Sequence, residues 1–212
     1  MAPIQFERYT TVSCPEGTLN FDEDAPKLLI AARSFMANAG FRMQCDDVRI
    51  VMVTSRRMYQ MYGDEREACF HARWRSPFNP ATCLNGAYIE LVTGMSNAKA
   101  FAMIVHELTH LWVVYADLGE SFSKVHAIEG EEALCDIMST IAALSMDQGQ
   151  LAYGRMLMVQ HHLSYFKREQ RENAALTSIR LFKSYRRDHG YKGRCVVKLM
   201  TALVDHLIKH GV

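Results

Sequence analysis

The stretch from about Asn97 to Asp117 most constrains this chain, because it must bury charged side chains within an otherwise apolar run. Phe101, Ile104, Val105, Leu108, Leu111, Trp112 and Tyr115 recur at three- and four-residue spacing, which predicts a helix with a broad core-facing side. Ser96 or Asn97 can cap its start and Gly119 can close its end. Inside this helix lies His106-Glu107-Leu108-Thr109-His110, whose spacing puts both imidazoles on one face with a carboxylate beside them. Two core histidines hydrogen-bonded to neighbours would be the plain structural reading, but it leaves Glu107 needing a partner of its own, since a buried carboxylate is costly unless paired or metal-bound. The H-E-x-x-H pentad is therefore read as two ligands of a Zn2+ site with its own base.

A third protein ligand is expected on a nearby helix, with one coordination position left for water. The segment Glu129-Gly130-Glu131-Glu132-Ala133-Leu134-Cys135-Asp136-Ile137-Met138 supplies it. Glu132 and Asp136 share a helical face, so Glu132 can bind the metal while Asp136 accepts a hydrogen bond from the outer nitrogen of a ligating histidine. Glu129 lies near the same face, and Glu131 is turned from Glu132 by about a hundred degrees. An acidic helix start favoured by the macrodipole accounts for Glu129 and Glu131. It accounts poorly for Asp136, which sits further into an apolar stretch.

The pair HELTH and Glu132-Ala133-Leu134-Cys135-Asp136-Ile137 resembles the gluzincin metallopeptidases, in which E-x-x-x-D on a second helix completes H-E-x-x-H. That resemblance implies Glu132 as third ligand. A rival register, eighteen residues after His110, would use Glu129 instead. A closer likeness, over roughly residues 85 to 210, is to the peptidase domain of plant LIM-domain, ubiquitin-activated peptidases. It is carried by Leu91-Val92-Thr93-Gly94-Met95, by Glu131-Glu132-Ala133-Leu134-Cys135, by Asp188-His189-Gly190-Tyr191-Lys192-Gly193 and by Val204-Asp205-His206-Leu207. The chain departs from that pattern in a longer spacer between His110 and Glu132, and shows no LIM or ubiquitin-interacting segment. The resemblance implies a zincin-like fold and a protein or peptide substrate, ubiquitin-related in its nearest form.

Composition narrows the remainder. With 212 residues, 49% hydrophobic and 22% charged, the chain can bury a core as one domain with two lobes. A net charge of +1 gives no long-range field for nucleic acid. No apolar run reaches the ~18 residues of a bilayer span, and the first eight residues carry no signal-peptide core. Six scattered cysteines without C-x-x-C suit a reduced, cytoplasmic protein. Cys69, His71 and Cys83 lack the paired spacing of a second zinc site and are read as strand packing. The basic residues Lys183, Arg186, Arg187, Lys192 and Arg194 are read as a solvated face.

Along the chain, helix is expected from Asp22 to Ala39, with its acidic residues and Pro26 at the start and Gly40 at the stop. Strands are expected at Arg49 to Val53, Ala68 to Trp74 and Tyr88 to Val92, with a proline-rich loop at 76–80. Further helices are expected at about Glu129 to Ser145, Gln150 to Glu172, Ala174 to Arg187 and Arg194 to Lys209. The fold class is accordingly α+β: a small α/β lobe over about 1–120 that includes the H-E-x-x-H helix, a mainly helical lobe over about 121–212, and a cleft between them.

The expected chemistry is peptide-bond hydrolysis, with zinc held by His106, His110 and Glu132 activating a water and Glu107 taking its proton. A donor for the oxyanion would come from Tyr153, His161, His162, Tyr165, Tyr185, His189 or Tyr191. His189 and Tyr191 rank first, from their glycine-flanked turn in the stretch that resembles the plant domain. The adjacent His161 and His162 point about a hundred degrees apart and read as a partly exposed helix feature. Two other readings share the metal. One is a non-catalytic, zinc-stabilised binding or regulatory protein, which needs no base and closes its site with a fourth protein ligand; the other is a zinc hydrolase of a non-peptide amide.

Overall fold

The computed structural model describes residues 16–39, 41, 48–63, 68–72, 87–115 and 127–165, of which 69–72, 87, 114, 115 and 127–129 are described by their backbone alone. Within these residues the chain is α+β, with five helices and one three-stranded sheet.

Helix α1 spans Phe21–Asn38 and ends at Ala39. Asp22, Glu23 and Asp24 occupy its first turn, where the positive end of the helix favours them. Asp24 also ties the entry down, its carboxylate accepting from the Asn20 N–H at 3.0 Å. Pro26 lies inside the helix rather than at its first position, so one carbonyl of the opening turn loses its intrahelical donor.

Strand β1 (Val48–Val53) leads into a short helix, α2 (Ser55–Tyr62), that is not among the elements expected above. Met58, Met61 and Tyr62 recur at three- and four-residue spacing, but only Met58 is buried and eight residues are too few for the pattern to mark a helix by itself. Its ends are nevertheless well marked. The Thr54 hydroxyl accepts from the Arg57 N–H at 3.1 Å, and Gly63 takes φ +75° to turn the chain out of the helix.

Strands β2 (Ala68–Ala72) and β3 (Ala87–Val92) complete the sheet in the order β1-β3-β2. β3 pairs parallel with β1, from Val48 opposite Ala87 to Val53 opposite Val92, and antiparallel with β2, from Ala68 opposite Leu91 to Ala72 opposite Ala87. β2 matches the start of the strand expected from Ala68 to Trp74, and residues 73 and 74 lie outside the described residues.

Helix α3 runs Asn97–Tyr115. Ser96 caps it, accepting from the Lys99 N–H on its hydroxyl at 3.3 Å and from the Ala100 N–H on its carbonyl at 2.9 Å. Every residue from Ala100 to Thr109 is buried. Such a helix needs cover on all sides, and α3 packs against α1, β2 and β3 on one side and against the following helix on the other. Phe35 meets Phe101 edge-on at 6.0 Å, and Phe41 meets Trp112 at 4.7 Å. The Thr109 hydroxyl is satisfied by the Val105 carbonyl at 2.8 Å.

Helices α4 (Ala127–Ser145) and α5 (Gly149–Ser164) are joined by a tight turn. The Gln148 N–H donates to the Ala143 carbonyl and the Asp147 N–H to the Leu144 carbonyl, with Asp147 at φ +63°. These paired bonds close the end of α4 in the manner of a Schellman motif. α5 ends at Ser164, with Tyr165 turned; the rest of the helix expected to Glu172, and both later helices, lie outside the described residues. Among the described residues no helix is long and apolar enough to cross a membrane.

Candidate metal centre

The buried face of α3 presents His106 and His110 to α4, their ring centroids 5.1 Å apart. Two carboxylates of α4 reach the outer nitrogens: His106 Nδ1 lies 3.1 Å from Asp136 Oδ1, and His110 Nδ1 lies 2.7 Å from Glu131 Oε1. A third carboxylate spans the inner nitrogens, with Glu132 Oε2 3.3 Å from His106 Nε2 and Glu132 Oε1 3.4 Å from His110 Nε2. Partners of His106 sit at 132 and 136 and those of His110 at 131 and 132, so α4 runs back along α3.

These contacts bear on whether the residues fit a metal. With Nδ1–H donated outward to a carboxylate, each histidine turns an Nε2 lone pair inward. Lone pairs would then face the oxygens of Glu132, an arrangement that calls for a positive centre between them, whether protons or one cation. Ligand atoms held at ~2.0–2.1 Å in tetrahedral geometry stand about 3.3 Å apart. The separations across the site, 3.3 and 3.4 Å, match that figure. Two imidazoles and a carboxylate are donors of the kind that hold zinc, each Glu132 oxygen facing a different histidine, while the donor atoms grouped within 4.8 Å of one another are those of His106, His110 and Cys135.

Electrostatics in the metal-free chain follow from the same contacts. Burial works against a charge on His106, but Asp136 and Glu132 hydrogen-bonded to it, together with the nearby charge of Glu107, push it up to about 9. Burial likewise opposes a charge on His110, and the Cys135 sulfur with the carboxylates of Glu131 and Glu132 drives it far upward. Glu132 would be raised by its burial, yet His106 and His110 hold it well below the usual carboxylate range. Asp136 is buried too, and His106, His162 and Arg155 bring it down to about 2.

Glu107 is buried on α3 between the two histidines in sequence, near enough for its charge to act on His106. Glu129 belongs to α4, but its side chain is outside the described residues, as are Tyr185, His189 and Tyr191. Tyr153 is exposed on α5, and His161 with Tyr165 forms a separate exposed pair, Nε2 to hydroxyl 3.2 Å. None of these three joins the histidine pair.

Several residues enter the site that the sequence reading left out or set aside. Glu131, expected to point away, is the nearest partner of His110. The hundred-degree turn from Glu132 is real, but the two nitrogens of the His110 ring face different ways, so Glu131 meets Nδ1 and Glu132 meets Nε2. His162 is not merely a helix feature: its Nε2 lies 3.4 Å from Asp136 Oδ2, and Arg155 contacts Asp136 Oδ1 at 3.4 Å. Cys135, completely buried, has its sulfur grouped with the donor atoms of both histidines, all within 4.8 Å of one another. Its position three residues after Glu132 was the available signal, since i, i+3 places both over one patch of the facing helix. No family model, curated protein or solved structure matches the chain.

Proposed function

We propose that the protein is a zinc-dependent, zincin-like metallopeptidase that hydrolyses peptide bonds in a protein or peptide substrate. The observation that carries this reading is the double bridge of Glu132 to the inner nitrogens of His106 and His110, with Glu107 one residue from His106. When bound, zinc would acidify a water and polarise the scissile carbonyl.

The residues divide the remaining work. Asp136 and Glu131 fix the histidine tautomers and hold the rings in place. Arg155 and His162 in turn anchor Asp136 from α5. Glu107 has the chemistry to accept a proton from the attacking water and deliver it to the leaving amine. Glu132, with its side chain 31% exposed, marks the side from which substrate can approach. A ubiquitin-related substrate, the oxyanion donors His189 and Tyr191, and a cytoplasmic location belong to this same reading and rest on the resemblance and composition described above.

Cys135 favours a second reading, in which a fourth protein ligand closes the site and zinc only stabilises a binding protein. Glu107→Gln separates the two. The purified protein should bind about one zinc per chain, lost in His106→Ala and His110→Ala. Glu107→Gln should retain zinc and fold while losing turnover of protein substrates, ubiquitin conjugates included, against a chelator-treated control. Equal cleavage by wild type and Glu107→Gln would reject Glu107 as base. Zinc-loaded wild type that cleaves nothing in a broad screen would favour the binding protein.

A further inference from the structure

We propose that Cys135 is itself a metal ligand, its thiolate completing a donor set of His106, His110, Glu132 and Cys135 in the resting protein. This rests on the reading of the site as a zinc centre and adds to it a closed state.

Three observations support the assignment. The sulfur is grouped with the ligating atoms of both histidines rather than lying elsewhere in the core, and it is fully buried. Glu132 and Cys135 are three residues apart on α4, so one helical face offers both an oxygen and a sulfur to the histidine pair on α3. Where α4 needs only a small core residue it uses alanine, at Ala133, Ala142 and Ala143; at 135 it places a thiol against two imidazoles. Peptide hydrolysis as described leaves that thiol without a task.

Sulfur changes what the site prefers. Two nitrogens, one oxygen and one thiolate suit zinc and disfavour magnesium or calcium, which take oxygen donors. The step is a ligand exchange with no change of oxidation state: the S–H bond breaks, its proton leaves to solvent, and sulfur takes the position water would hold. Opening the site then requires the thiolate to withdraw or the coordination shell to expand, so the resting protein is latent.

X-ray absorption at the zinc edge of the full-length, zinc-loaded protein tests this directly. Wild type should show one sulfur at about 2.3 Å besides nitrogen and oxygen at about 2.0–2.2 Å. Cys135→Ser should lose that sulfur and still hold zinc. With cobalt(II) in place of zinc, the thiolate charge-transfer absorption of wild type should vanish in Cys135→Ser and Cys135→Ala. Zinc bound without sulfur in wild type, or sulfur persisting in a folded Cys135→Ser, overturns the proposal and leaves the peptidase reading standing. A chain that binds no zinc overturns both. If neither variant folds, the wild-type spectrum decides: zinc without sulfur overturns the proposal, and one sulfur at about 2.3 Å bears it out, Cys135 having its sulfur beside the pair.

Discussion

Glu131 and Asp136 perform the same service for different histidines, and the difference in their surroundings predicts different costs when each is removed. Glu131 reaches His110 at 2.7 Å from a partly exposed position, whereas Asp136 is buried and also binds Arg155 and His162. Loss of either should weaken zinc affinity by roughly ten- to a hundredfold, measured by competition with a chromophoric chelator. Asp136→Ala should also lower stability, because it removes a buried carboxylate on which His106, Arg155 and His162 converge, while Glu131→Ala should not. Glu132→Ala should cost more affinity than either. A damaging Glu129→Ala beside a silent Asp136→Ala would move the third ligand to Glu129. At this scale the sequence was most legible where chemistry and spacing coincide, at His106, His110, Glu132 and Asp136. It was least legible where a contact depends on how two helices rotate against each other. Nothing in the local pattern of α4 says that Glu131 and Glu132 each meet a different nitrogen of the same ring, and nothing in α5 says that His162 rather than His161 turns inward.

Among the elements, those built on a buried face could be read directly and those built on caps could not. α3 and α4 carry long apolar runs, and their observed limits fall within two residues of expectation at every end the described residues test. α2 has a single buried side chain and is held by Thr54 at one end and Gly63 at the other. Gly63→Ala should therefore lower stability by about 1 kcal/mol, since an alanine there must take the left-handed conformation. The urea midpoint checks this. Asp147 occupies the same conformation between α4 and α5. Replacing it with a β-branched residue, as in Asp147→Val, should cost about 1–2 kcal/mol. An unchanged midpoint would mean that the turn relaxes and that the register of α4 on α5 does not depend on it.

For the whole molecule, charges gathered at one seam make the metal-free protein sensitive to pH on both sides. His106 rises from 6.5 to about 9 on folding, so its stabilisation is complete below pH 6.5 and is lost as the pH climbs through 9. Asp136 falls from 3.8 to about 2, so its contribution is complete above pH 3.8 and is lost as the pH drops through 2. Chelator-treated protein should accordingly melt highest between about pH 4 and 6.5. Zinc competes with the histidine protons, so its added stabilisation should grow as the pH rises, and the metal-loaded optimum should lie higher than the metal-free one. Melting curves with and without zinc across that range test both halves; coincident optima would argue against ligation by His106.

The encasement of α3 has a kinetic consequence. Its amides from Ala100 to Thr109 are shielded by α1 and the sheet on one side and by α4 on the other, so they should be among the slowest in the chain to exchange with deuterated solvent, opening only when the molecule as a whole unfolds. An ion seated between α3 and α4, beside part-exposed Glu132, should then have a residence time that follows the loosening of α4 while α3 stays shut.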